Sequence, residues 1–183
     1  MRITAGKHRS RVLKSLEGDN TRPTTDKVKE AVFSNLGPYF EGGSIFDLFG
    51  GSGAISLEAI SRGFDRALII EKSKAACNII RENVRILKEE DNVELWNCSY
   101  QTAMEKINNE KFDLIYADPP YGYLLATEII RKVSENDLLK EDGYLVLETS
   151  REEKINTCPG MKIEKDAVYG ITKVTYVRKE ITE

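Results

Sequence analysis

From Gly43 onward the chain alternates short β-branched runs with stripes of apolar residues at helical spacing, which commits it to a parallel sheet covered by helices on both faces. Strands are expected over residues 44–48, 67–71, 93–97, 112–117 and 144–148. The helices between them start near Gly53, Ser73, Gln101 and Tyr123, and the second carries Ala76, Ile80, Val84 and Leu87 on one stripe, the buried face of a surface helix. After Glu148 the pattern changes: residues 161–168 and 171–177 are extended around Tyr169-Gly170, as in an antiparallel hairpin at a sheet edge. The fold class is therefore α/β, a doubly wound, mostly parallel seven-stranded sheet ending in an antiparallel hairpin.

Ahead of this pattern, residues 2–14 suggest a small β-hairpin with Ile3, Val12 and Leu13 as apolar anchors. Thr21-Arg22-Pro23-Thr24-Thr25-Asp26 then offers caps to a helix with Val28, Ala31, Val32 and Leu36 at helical spacing, closed by Gly37-Pro38. The expected organisation is a basic extension over residues 1–20 and one α/β domain over 21–183. Arg2, Lys7, Arg9, Arg11 and Lys14 precede the first acid, Glu17, although the formal charge of the whole chain is only −3. A cationic patch on an acidic body is suited to meeting phosphates locally.

Other chemistries find little support. The three cysteines, Cys77, Cys98 and Cys158, are widely spaced and form no C-x-x-C pair, so neither disulfides nor a zinc site is indicated and no metal is expected. The sole histidine, His8, sits among basic residues without the partners of a triad. No apolar run approaches a membrane span or a leader, and a cytoplasmic setting is expected.

Two segments carry chemistry. Ile45-Phe46-Asp47-Leu48-Phe49-Gly50-Gly51-Ser52-Gly53 runs from the first parallel strand into a helix, and its glycines let the backbone pass close under a nucleotide-like ligand. Glu71, ending the second strand, is placed to accept hydrogen bonds from ribose hydroxyls. A dinucleotide would want a third glycine where Ser56 stands, and the Asp47 carboxylate would repel its pyrophosphate. The same carboxylate would attract the α-ammonium of S-adenosylmethionine, which lacks a pyrophosphate.

The second segment, Asp118-Pro119-Pro120-Tyr121, follows the fourth strand at the carboxyl edge, where open α/β sheets bind ligands. Prolines donate no N–H, so the Asp118 carboxylate and the Pro119 carbonyl can act as fixed acceptors for the two hydrogens of an exocyclic amine. The Tyr121 ring offers a stacking surface for an unstacked base. Adenine N6, cytosine N4, guanine N2 and a glutamine amide all present such N–H groups. A DNA adenine methyltransferase would usually add a larger recognition region, and a non-catalytic RNA-binding module would have no use for Asp118 and Tyr121.

Taken together, Thr21 to Asp26, Asp47 to Gly53 and Asp118 to Tyr121, with the opening Met1 to Lys7 and the late Tyr169-Gly170, resemble the RsmD-like bacterial enzymes, which methylate guanine N2 in 16S ribosomal RNA. The resemblance covers nearly the whole chain. It implies a class I methyltransferase fold and a monomer that uses S-adenosyl-L-methionine on 16S rRNA. It further implies cofactor contacts from Thr24, Asp47, Phe49, Gly51, Ser52, Gly53, Glu71, Lys72 and Ser99, catalytic roles for Asp118, Pro119 and Tyr121, and Arg22 near the site on the RNA side. The cationic cluster of Arg2, Lys7, Arg9, Arg11 and Lys14 is expected from its charge to contact RNA phosphates. Two positions depart from the family pattern: Gly50 replaces a frequent alanine, and Asn97-Cys98-Ser99 lacks the usual acid for the adenine amine, leaving that contact to Ser99 or to backbone groups.

Overall fold

The computed structural model describes residues 1–16 and 25–181. Seven strands form a mixed sheet in the order β3-β2-β1-β4-β5-β7-β6. The chain divides into two compact units, Met1–Ala103 and Met104–Glu183. The expected boundary at residue 20 lies outside the described residues.

In the first unit, α1 (Asp26–Leu36) starts at Thr25, whose Oγ1 accepts from the Val28 amide at 3.2 Å. This satisfies one of the helix's otherwise orphaned donors. Strands β1 (Ser44–Asp47), β2 (Arg66–Ile70) and β3 (Val93–Trp96) are parallel, with Ser44 opposite Arg66 and Ala67 opposite Val93. Helix α2 (Ala54–Ser61) is buried along its whole length, whereas α3 (Lys74–Leu87) buries the expected stripe of Ala76, Ile80, Val84 and Leu87. Each large aliphatic side chain so buried contributes about 1.5–3 kcal/mol. Helix α4 (Tyr100–Lys106) follows β3.

The expected hairpin over residues 2–14 is reduced to a short antiparallel contact, in which the Ile3 amide donates to the Arg11 carbonyl at 3.0 Å, the Ser10 amide to the Ile3 carbonyl at 2.9 Å and the Leu13 amide to the Met1 carbonyl at 2.8 Å. One antiparallel bridge joins Arg2 to Val12, and residues 5–10 make turns and bends. The reason is competition for backbone groups. The Thr4 amide donates to Glu58 Oε1 at 2.9 Å, the Lys7 amide to the Ser61 carbonyl at 2.9 Å and the His8 amide to Ser61 Oγ at 2.9 Å, so α2 takes the bonds that a second strand would have used.

Beneath this segment lies a buried ionic cluster. Glu58, fully buried, pairs with Lys29 at 3.3 Å and with Arg62 Nε at 3.0 Å. Arg62 also donates to Thr4 Oγ1 at 2.8 Å and to the Pro38 carbonyl at 3.1 Å, and Lys29 donates to the Arg2 carbonyl. Buried charges persist only when paired and hydrogen-bonded in this way.

In the second unit, β4 (Phe112–Ala117) runs parallel to β5 (Leu139–Ser150), and β7 (Thr172–Lys179) pairs antiparallel with both β5 and β6 (Met161–Tyr169). The late hairpin is thus as expected. Strand β5 begins at Leu139, ahead of the expected 144, because Phe112 pairs with Leu139 across an irregularity that the polar Lys140 to Asp142 stretch conceals in sequence. Helix α5 (Ala126–Glu135) buries Ala126, Ile129, Ile130 and Val133, and β4 leads directly into Asp118. Among the described residues, no helix is long and apolar enough to cross a membrane, and no group of three or more His, Cys, Asp or Glu could hold a metal ion.

Candidate active site

In the first unit, three loops at the carboxyl ends of adjacent parallel strands are stitched together. After β1, the Gly51 amide donates to Glu71 Oε1 at 3.0 Å. After β2, Glu71 Oε2 accepts from the Ser73 amide at 2.7 Å. After β3, Asn97 Nδ2 donates to the Glu71 and Lys72 carbonyls at 2.9 and 3.0 Å. Glu71 is therefore held by one backbone amide on each oxygen. A carboxylate has about four acceptor sites, which leaves capacity for a diol.

Asp47, at the end of β1, is 1% exposed. Its Oδ2 accepts from Ser56 Oγ at 2.9 Å, and its Oδ1 has no hydrogen-bond partner among the described residues. Burial pushes its carboxyl up to about 7; the Ser56 hydroxyl and the Phe49 amide pull the other way without offsetting it, and the Glu71 charge adds to the rise. An orphaned acceptor of this kind is costly and calls for a donor. An ammonium would satisfy it and favour the ionised carboxylate.

Gly51 has a φ of +59°, and a Cβ built there meets nothing within 4 Å, so open space lies over the loop. At Gly50, by contrast, an added Cβ would lie 2.3 Å from Ile69 Cγ2. Ile69 fills the room that an alanine methyl would need. Gly53, also left-handed, is the N-cap of α2, and the half-buried Phe49 ring lies 5.2 Å from that of Tyr100. The Ser52 carbonyl accepts from Asn83 Nδ2 at 2.9 Å. Lys72 is exposed. Ser99 Oγ accepts from the Thr102 amide at 3.2 Å and is 3.0 Å from its hydroxyl, so it is engaged in starting α4. Thr24 and Arg22 lie outside the described residues.

The basic segment is anchored unequally. Lys7 and His8 both reach Glu89 Oε1, at 2.7 and 2.6 Å, Lys14 reaches Glu82 at 3.5 Å, and Arg11 donates to the Ile86 carbonyl at 3.0 Å. Burial would raise the Glu89 carboxyl, but hydrogen bonds from His8, Lys7 and Asn92 outweigh it and hold it below the ordinary value. Arg2 is exposed. Arg9 is exposed too, with no side-chain hydrogen bond or ion pair among the described residues.

In the second unit, Asp118 is half-buried directly after β4, and Pro119 is buried. Tyr121 is 43% exposed, its hydroxyl 3.4 Å from Thr172 Oγ1. Tyr123 and Leu124 beside it are 69% and 68% exposed.

Asn83, Asn97 and the cluster of Lys29, Glu58 and Arg62 were not anticipated from sequence. A glutamate in the middle of the apolar run Ala54–Ser61 was the one available sign of the cluster.

A Rossmann-like sheet with this glycine loop after β1, an amide-held acid after β2 and Asp-Pro-Pro-Tyr after β4 defines a methyltransferase of the class I fold. The solved structure of yhhF from Escherichia coli, a methyltransferase by name, superposes with a TM-score of 0.86 at 29% identity, covering 98% of each chain. Residues 1–178 match the model of the family described as Conserved hypothetical protein 95, and the chain belongs to that family, the RsmD-like proteins. Its relatives include YlbH of Bacillus subtilis, whose name contains the words rRNA methyltransferase, at 34% identity over 98% of this chain and 99% of that one. Another is the ribosomal RNA small subunit methyltransferase D of Haemophilus influenzae, at 32% identity over 93% of this chain and 90% of that one.

Proposed function

We propose that this chain methylates the exocyclic N2 amine of a guanine in 16S ribosomal RNA, with S-adenosyl-L-methionine as methyl donor, and that it acts as a cytoplasmic monomer. The observation that carries the reading is the acceptor arrangement after β4, a half-buried Asp118 followed by the buried Pro119, in a chain whose relatives are named for methylation of small-subunit rRNA. The cofactor assignment is supported by the unpartnered Asp47 Oδ1 and the open space over Gly51, which suit an ammonium-bearing nucleoside better than a dinucleotide.

Bound there, S-adenosyl-L-methionine supplies an electrophilic methyl group on a sulfonium sulfur. Asp47 takes the α-ammonium, Glu71 the ribose hydroxyls, and Phe49, Gly51, Ser52 and Gly53 line the approach, with Thr24, Lys72 and Ser99 as outlying contacts. Asp118 and the Pro119 carbonyl accept hydrogen bonds from the two amine hydrogens, which turns the nitrogen lone pair away from conjugation with the ring. As positive charge develops on that nitrogen the Asp118 carboxylate would stabilise it, and once the N–C bond has formed and the S–C bond has broken one proton would pass from the nitrogen to solvent. Tyr121 stacks on the base. Arg2, Lys7, Arg9, Arg11, Lys14 and Arg22 position the phosphates, with the Arg2 and Arg9 side chains the least committed within the described residues.

The test is incubation with radiolabelled S-adenosylmethionine and separate pools of rRNA, tRNA and DNA, followed by nucleoside analysis. N2-methylguanosine confined to 16S rRNA is the expected product. N6-methyladenine in DNA, or no transfer to any pool, overturns the reading.

A further inference from the structure

Asn83 lies in the middle of α3, is fully buried, and uses three hydrogen-bonding positions at once. Its Oδ1 accepts from the Lys14 amide at 2.8 Å, and its Nδ2 donates to the Lys14 carbonyl at 2.9 Å and to the Ser52 carbonyl at 2.9 Å. The orientation of the amide is dictated by this set, since the flipped rotamer would set Oδ1 against two carbonyl oxygens. One side chain thus holds the backbone of the basic segment and the backbone of the glycine loop. The segment's other ties to α2, at Glu58 and Ser61, lie beyond that helix's first turn and make no contact of this kind with the loop.

We infer that Asn83 is a positioning residue that couples the glycine loop to the basic N-terminal segment: occupancy of the loop steadies the segment, and a polyanion held by the segment steadies the loop. Reciprocity is required, because a free energy shared between two sites acts equally in both directions. Asn83 touches no reacting atom. Its effect runs through the Ser52 carbonyl, which is fixed when the loop is fixed, and through the Lys14 amide, which is released when the segment opens locally. With no solvent access to the amide, water does not replace a lost bond, so the coupling is on the order of one buried hydrogen bond, about five-fold in a local opening equilibrium.

This inference rests on the cofactor reading above, and amide hydrogen exchange of the full chain separates the two. In the wild-type protein, saturating S-adenosylhomocysteine is expected to slow exchange over residues 49–53 and, by about five-fold, over residues 12–16. In Asn83→Ala the ligand should still protect residues 49–53 while exchange over 12–16 no longer responds to it. Protection of 49–53 without any response at 12–16 in the wild type overturns the coupling, as does a response at 12–16 that survives in the variant. A wild-type protein that shows neither response and no binding heat has lost the cofactor reading itself, and the coupling with it. The wild-type arm stands if Asn83→Ala fails to fold, and Asn83→Ser then takes the variant's place.

Discussion

Asp47 makes cofactor binding sensitive to pH in a direction that can be worked out. Its carboxyl, raised to about 7 chiefly by burial, is largely protonated in the free protein at mildly acid pH. An α-ammonium binds the ionised form, so binding lowers the pKa and expels a proton. For a free-state value of about 7, the ionised fraction falls about 25-fold between pH 7.5 and 5.5, and affinity should fall by the same factor, about 2 kcal/mol. Titration calorimetry with S-adenosylhomocysteine in buffers of different ionisation enthalpy reads both quantities: at pH 6 about 0.9 proton should be released per ligand bound, and at pH 8 about 0.1. The free protein carries the complementary signature. A folded pKa above the ordinary 3.8 means that the contribution of Asp47 to stability is full below 3.8 and is lost as pH rises through about 7, so the melting temperature should drop across that window. Asp47→Asn should flatten both profiles and bind the ligand more weakly at pH 7.5. Equal affinity at pH 5.5 and 7.5 with no buffer-dependent heat would refute the pairing of Asp47 with an ammonium.

Asp118→Ala should abolish most turnover while leaving S-adenosylhomocysteine affinity within about two-fold, because its partner is the target amine; retained turnover in a steady-state assay would contradict that role. Glu58→Gln should destabilise the fold by about 3–5 kcal/mol in urea denaturation, since it strands Arg62 without a counter-charge and leaves Lys29 only the part-exposed Asp26 at 3.3 Å, and a loss below about 1 kcal/mol would show that the cluster is not energetically coupled. Arg9→Ala should reduce the salt slope of RNA binding by about 0.7, the counterion released per single-stranded phosphate contact. Lys7→Ala should change it less, as Lys7 already neighbours Glu89 at 2.7 Å, and identical slopes for the two variants would refute the distinction.

The parts of the molecule that were legible in the sequence are those with a local signature. The stripe of Ala76, Ile80, Val84 and Leu87 repeats at helical spacing and is buried as the spacing requires. Thr25 caps α1 because a short hydroxyl side chain is the ordinary cap, and the glycine loop announces itself by composition. Illegible were the features made by polar groups distant in the chain. Nothing near Asn83 indicates that it holds Lys14 and Ser52, and the segment before Lys14 looks like a hairpin because its competitors for hydrogen bonds, Glu58 and Ser61, lie far along the chain. The early start of β5 was hidden for a different reason: pairing of Leu139 with Phe112 carries the strand through charged residues with poor β propensity.

The anchoring of the N-terminal segment sets an order of events during synthesis. Thr4 bonds to a residue 54 positions later, Lys14 to one 69 later and His8 to one 81 later. Synthesis from N to C therefore exposes this basic stretch before its docking partners exist, since these arrive only when α2 and then α3 have been translated. The closing loops are long, so the step comes after the local helices have formed. The buried Lys29, Glu58 and Arg62 bond to Arg2 and Thr4, so their hydrogen-bond set is complete only once this stretch has docked.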